Sequence, residues 1–247
     1  MTDIQERRER YFIVLAGFFI CCMTLLNIVG ITRFIELGPL SLAVGVLPYP
    51  LTFLCTDLMS EFYGRRRANF VVTLGLALNV FIIGFMWVAQ AVPPVPLETQ
   101  PPWQVIQLAE SIALPSGQTL DNQVELFQLL YQCTAGAVFA SMLAYIAAQY
   151  ADVRLFHFFK TLTKGRHRWL RNNLSTLTSQ GIDSIMVVSV TFGASLLAGS
   201  MTLKAFLILI GSNYLFKFAV ALIDTLPFYW LSNLLEKRLQ IDPLNVR

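Results

Sequence analysis

The chain has 247 residues, of which 55% are hydrophobic and only 13% charged, and the formal net charge is +3. Soluble domains carry about 25% charged residues, so this composition, with a mean hydropathy of +0.60, sets aside an ordinary soluble globule and points to a bilayer as the solvent. The basic residues are scattered among short connections, which sets aside nucleic-acid binding.

Six apolar segments read as membrane-spanning helices, at about 11–31, 40–60, 70–92, 127–148, 174–200 and 206–230. Each is long enough to cross ~30 Å of hydrocarbon at 1.5 Å per residue. Helices are expected because they satisfy their own backbone groups in lipid, and the ten-residue alternation of an outer-membrane barrel is missing. The predicted class is therefore an all-α, polytopic membrane protein forming one domain over 1–247.

The first segment follows Arg7, Arg8 and Arg10 and runs on without a small-residue cleavage site. It is too long for a signal-peptide core and reads as a retained span. Cys21, Cys22, Cys55 and Cys133 all fall in apolar runs, as small apolar side chains rather than disulfide partners.

The second segment carries Pro48 and Pro50 at mid-span. Two missing backbone donors predict a break in this helix, and freed carbonyls at that depth require protein or a cavity around them. Pro50, Leu54, Asp57 and Glu61 follow the 4-3-4 spacing of one helical face.

Arg65, Arg66 and Arg67 then lie between the second and third segments. After the third comes a long connection, 93–125, with no Lys or Arg. It opens Pro93-Pro94-Val95-Pro96, a stiff extended stretch, and 103–108 reads as a short interfacial helix with Trp103 at headgroup depth. Three segments on each side of it would suit an inverted repeat, although the halves share no convincing sequence match.

The connection 149–173 holds Arg154, Lys160, Lys164, Arg166, Arg168 and Arg171. Asp152 is placed to cap a helix in it and Gly165 to end one. With Lys237, Arg238 and Arg247 at the C-terminus, fifteen of the eighteen basic residues lie on one set of loops and only Arg33 and Lys204 on the other. The excess of Lys and Arg marks the cytoplasmic side, so both termini are expected there.

The fifth segment opens with Thr176, Ser179, Gln180 and Asp183 on one stripe, at i, i+3, i+4 and i+7. The sixth has Asn213, Lys217 and Asp224 on one face. Lys217 leans toward the helix N-terminus and away from Asp224, so its partner is expected from another helix or from a ligand. Ionisable groups at a span's centre carry a penalty of ~2.5–3.5 kcal/mol each. They must face the bundle interior, water, one another or a bound molecule. The structural alternatives are helix capping, interhelical hydrogen bonding and a buried ion pair.

The stretches Pro50-Leu51-Thr52-Phe53-Leu54-Cys55-Thr56-Asp57…Glu61-Phe62-Tyr63-Gly64, Trp169-Leu170-Arg171-Asn172-Asn173-Leu174-Ser175-Thr176…Ser179-Gln180…Asp183 and Lys217…Asp224-Thr225-Leu226-Pro227 together resemble the queuosine precursor transporters, also called vitamin-uptake-like transporters. The resemblance covers nearly the whole chain. It implies import of the 7-deazapurines preQ0 or preQ1 across a bacterial inner membrane, without a catalytic step, cofactor or metal. The candidate substrate-binding residues are Asp57, Asp183, Asp224, Lys217, Gln180, Asn213, Thr176, Glu61 and Phe53. The partners implied are a small flat base and the lipid bilayer; the oligomeric state is left open, a homodimer included.

Two other classes compete. A substrate-binding subunit of an energy-coupled vitamin importer has six helices and this size, but Ala16 and Gly17 do not extend into a small-residue stripe spaced by four; co-purification with an ATPase would favour it. An intramembrane enzyme is disfavoured because the two histidines, His157 and His167, both lie in the connection 149–173, away from any serine or metal motif at membrane depth.

Overall fold

The computed structural model describes residues 3–30, 32–38, 40–113, 119–120, 122–162, 168–199 and 201–241. Their architecture is six α-helices: α1 (Asp3–Ile28), α2 (Tyr49–Tyr63), α3 (Arg65–Ala91), α4 (Leu126–Leu162), α5 (Arg168–Leu197) and α6 (Leu203–Leu239). Three short antiparallel hairpins fill the connections. β1 (Phe34–Leu37) pairs with β2 (Leu40–Ala43). β3 (Val105–Gln107) pairs with β6 (Gln123–Glu125), and β4 (Ile112–Ala113) with β5 (Thr119–Leu120).

By length and composition, α1, α3 from Arg66 and α6 are apolar enough to cross a membrane among the described residues. Their outer faces carry large exposed apolar side chains, among them Phe18, Phe81, Phe85, Trp87 and Trp230. A monomer in water rarely presents such a surface; lipid accepts it. Cys21, Cys22 and Cys55 are free thiols in α1 and α2, the last two buried.

The second apolar segment departs from expectation. The predicted helix over 40–60 begins only at Tyr49, and the two prolines start it rather than break it: Pro48 is the N-cap residue and Pro50 lies in the first turn. There a missing N–H costs no hydrogen bond, and the fixed φ suits a helix start. Residues 40–43 are strand instead, turned back on 34–37 at Gly38, whose φ is +60°. At 15 residues, α2 is ~22 Å long, short of a bilayer's hydrocarbon core.

The backbone leading into it is satisfied by neighbouring loops. The Val44 N–H donates to the Arg33 carbonyl at 2.8 Å and the Gly45 N–H to the Gly30 carbonyl at 3.2 Å. This approach requires glycine on both sides, because a Cβ on Gly45 would lie 2.8 Å from the Gly30 Cα. At the other end, Gly64 turns α2 directly into α3 with φ +79°, a conformation that favours glycine.

Two further expectations are corrected. Residues 103–108 do not form an interfacial helix. Trp103 sits in a 3-10 turn over Pro102–Gln104, and Val105 and Ile106 enter a strand, as suits β-branched residues with partners in reach. The connection 149–173 is mostly helix, because α4 continues to Leu162 and α5 starts at Arg168. No glycine or proline stands between Gln149 and Leu162 to stop the helix. Asp152 therefore lies inside α4 rather than at a cap, and Gly165 and His167 lie outside the described residues.

Helix α2 occupies the middle of the bundle. One side, through Cys55 and Met59, packs on Phe19 and Met23 of α1, Val71 and Val72 of α3 and Tyr145 of α4. Another, through Leu54, Leu58 and Phe62, packs on Leu235 and Leu239 of α6. Below this second cluster the bundle end is tied by polar bonds. The Arg8 guanidinium donates to the Leu239 and Gln240 carbonyls at 2.9 and 2.8 Å, and the Tyr63 hydroxyl donates to the Arg8 carbonyl at 2.9 Å. Arg67 reaches both carboxylate oxygens of Glu9 at 2.9 and 3.0 Å and lies 4.8 Å over the Phe12 ring.

Arg8 thus supplies charged donors to carbonyls that the end of α6 leaves without helical partners. Arg8→Ala is expected to lower stability by about 1–2 kcal/mol, read as a fall in melting temperature in detergent. An unchanged melting temperature would mean that water replaces the guanidinium without loss.

Candidate functional site

A cleft of about 450 Å³, its open mouth included, lies between α2, α5 and α6. Helix α2 contributes Tyr49, Pro50, Phe53 and Asp57, α5 contributes Gln180, and α6 contributes Lys217, Ala221, Asp224, Thr225 and Phe228.

The side chains of α2 that reach the cleft are those its apolar contacts with α1, α3 and α6 leave over. With Tyr49 as its first residue, Tyr49, Phe53 and Asp57 stand at i, i+4 and i+8, one above the other. Leu54, read from the sequence as part of the polar face, turns instead into the apolar contact with α6.

At the floor of the cleft stands a buried ion pair. The Lys217 ammonium donates to Asp183 Oδ2, and the two residues are 6% and 3% exposed. The Tyr49 hydroxyl shares its proton between Gln180 Oε1, at 2.8 Å, and the same Asp183 Oδ2, at 3.0 Å. Lys217 Nζ also lies 4.4 Å from the Tyr49 ring centroid, a cation–π contact, and the Phe53 ring packs on Tyr49 at 4.9 Å.

Lys217 therefore takes its partner, Asp183, from another helix, and the pairing consumes that carboxylate. Two opposite charges out of water are tolerable only when paired and hydrogen-bonded. Asp57 and Asp224 are the carboxylates that line the open part of the cleft.

The nine residues singled out by sequence thus divide. Asp57, Asp224, Lys217, Gln180 and Phe53 line the cleft. Asp183 is buried against Lys217 rather than counted in the lining. Asn213 lies one turn before Lys217, outside the lining, with its Oδ1 buried and without a hydrogen-bond partner. Glu61 stands one turn beyond Asp57 and also lies outside the lining. Thr176 belongs to α5, but its side chain lies outside the described residues.

Sequence reading passed over Tyr49, which touches Gln180, Asp183, Lys217 and Phe53. Its signal was present in the i, i+4, i+8 spacing with Phe53 and Asp57. Among the described residues, no three His, Cys, Asp or Glu side chains are grouped to hold a metal ion.

Apolar helices of spanning length beside a cleft lined by carboxylates and a lysine fit one class, a membrane transporter. The family model described as "Putative vitamin uptake transporter" matches residues 43–231, and the chain belongs to this family, the one its motifs resemble. It is also similar to the "Probable queuosine precursor transporter" of Bacillus subtilis (strain 168), with 28% identity over 213 residues that cover 86% of this chain and 79% of the relative. No solved structure matches the chain.

Proposed function

We propose that this protein imports the 7-deazapurine precursors of queuosine, preQ0 and preQ1, across the bacterial inner membrane. The observation that carries the reading is the cleft between α2, α5 and α6, where carboxylates from two different helices, Asp57 and Asp224, stand beside an aromatic ring, Phe53. A guanine-like edge presents a ring N–H next to an amino group, and one carboxylate accepts both through its two oxygens. Phe53 offers a face for a flat base. The aminomethyl cation of preQ1 would engage the second carboxylate. The printed name of the Bacillus relative supports the same ligand class.

In this reading all six helices cross the membrane as one domain, with both termini in the cytoplasm. The one-sided distribution of Lys and Arg supports the orientation. The second crossing would be completed by residues 40–48, a strand and a short 3-10 turn ahead of the short α2, where backbone at that depth has to be covered by protein. The substrate passes through chemically unchanged.

The experiment is uptake of labelled preQ1 and preQ0 into cells that neither make nor import them. The unmodified protein is expected to restore uptake. Asp57→Asn and Asp224→Asn are each expected to lower it at least about tenfold at unchanged membrane levels, because each loses one charge-assisted acceptor. No uptake by the unmodified protein would remove the function; undiminished uptake by both variants would remove the site.

A further inference from the structure

Gln180 is 2% exposed, yet it lines the cleft. An amide is both donor and acceptor, so what a ligand meets there depends on which end is turned away. The structure answers this through Tyr49. Asp183 Oδ2 is already held by the Lys217 ammonium, and the tyrosine hydroxyl has one proton. Its shorter contact, at 2.8 Å, is to Gln180 Oε1. The amide oxygen is thereby occupied, and the N–H₂ end is the one left for the cleft.

Tyr49 is itself held on three sides: by these hydrogen bonds, by Lys217 against its ring at 4.4 Å and by Phe53 at 4.9 Å. Pro48 and Pro50 flank it in the chain. It has little freedom to release the amide.

We infer that Tyr49 fixes Gln180 as a hydrogen-bond donor to the ligand, so that the cleft selects bases bearing a ring carbonyl oxygen over those with a weaker acceptor at that position. The inference rests on the transport reading above and adds a polarity rule to it. The carboxylates accept from the N–H and amino edge of the base, and Gln180 donates to the adjacent carbonyl. A base with a thiocarbonyl in place of the carbonyl keeps the N–H and amino edge for the carboxylates but offers Gln180 only a weak acceptor, so that a buried donor is left poorly satisfied. Gln180 is a ligand-contacting residue in this scheme, and Tyr49 is the positioning residue behind it.

The test uses the full-length protein in lipid nanodiscs and two neutral probes, 7-deazaguanine and 6-thio-7-deazaguanine, which share the ring N–H and the amino group and differ only at the carbonyl oxygen, with binding measured calorimetrically. The unmodified protein is expected to bind 7-deazaguanine at least about tenfold more tightly. Tyr49→Phe frees the amide to turn and is expected to narrow this ratio to about threefold or less, at a melting temperature within a few degrees of the parent. Gln180→Glu replaces the donor by an acceptor and is expected to bring the ratio to unity or invert it.

Should Gln180→Glu fail to fold, the conservative Tyr49→Phe decides alone. A ratio that Tyr49→Phe leaves unchanged, with 7-deazaguanine still bound, overturns the polarity rule while the transport reading stands. Failure of the unmodified protein to bind either base overturns both.

Discussion

Asp183→Asn is expected to be the most damaging single substitution in the cleft, lowering stability by about 3–5 kcal/mol. The asparagine keeps the shape and can still accept from Tyr49, so packing is nearly unchanged. What is lost is the negative charge facing Lys217, which is 6% exposed and is left largely out of water without its counter-charge. Whole-domain stabilities are about 5–15 kcal/mol, so the variant should accumulate poorly and melt well below the parent in detergent. The double variant Asp183→Asn/Lys217→Met removes both charges together and should recover most of the loss, since a buried pair contributes little net stability over an apolar replacement. Thermal unfolding of the two singles and the double forms a cycle that isolates the pair. A loss below about 1 kcal/mol for Asp183→Asn would mean that the ammonium reaches another acceptor or solvent.

The second large effect is expected away from the cleft, at Gly45→Ala. A methyl group there would sit 2.8 Å from the Gly30 Cα and 3.1 Å from the Leu26 carbonyl oxygen. These are backbone atoms that cannot rotate aside. The end of α1 and the turn into α2 would have to separate, breaking the bond from the Gly45 N–H to the Gly30 carbonyl. Overpacking costs about 1–3 kcal/mol when side chains can adjust, and this contact should reach or exceed that range. Gly17→Ala is the control, because a Cβ there meets nothing within 4 Å and alanine favours a helix. Membrane accumulation and melting temperature should fall for Gly45→Ala and hold or rise for Gly17→Ala. Equal behaviour of the two would show that the loop yields without strain.

The two substitutions separate what the sequence carries from what it hides. Helical character and membrane affinity follow from local composition, and so they were legible. So was the need of Lys217 for a partner on another helix or from a ligand, since its side chain leans away from Asp224. The start of α2 was not legible. Prolines at mid-segment read as a break while 40–60 is taken as one helix, whereas the same prolines are favourable at a helix start. Which reading wins depends on β1 holding β2 in a hairpin and on Gly30 receiving Gly45, both contacts between separate segments. The rotation of α2 in the bundle, which its packing on α6 fixes, then turned Leu54 into the apolar contact and Tyr49 toward the cleft. The polar stripe of α5 was found, but spacing along one helix cannot say that Asp183 is spent on Lys217 while Gln180 faces the cleft.

By itself, then, the sequence determined the solvent this protein lives in and the family to which it belongs, because these rest on composition and motif. The tertiary structure alone decided which charges neutralise one another and which are left facing a cavity. Pairing across helices depends on how α2, α5 and α6 are rotated against each other, and no single segment encodes that rotation.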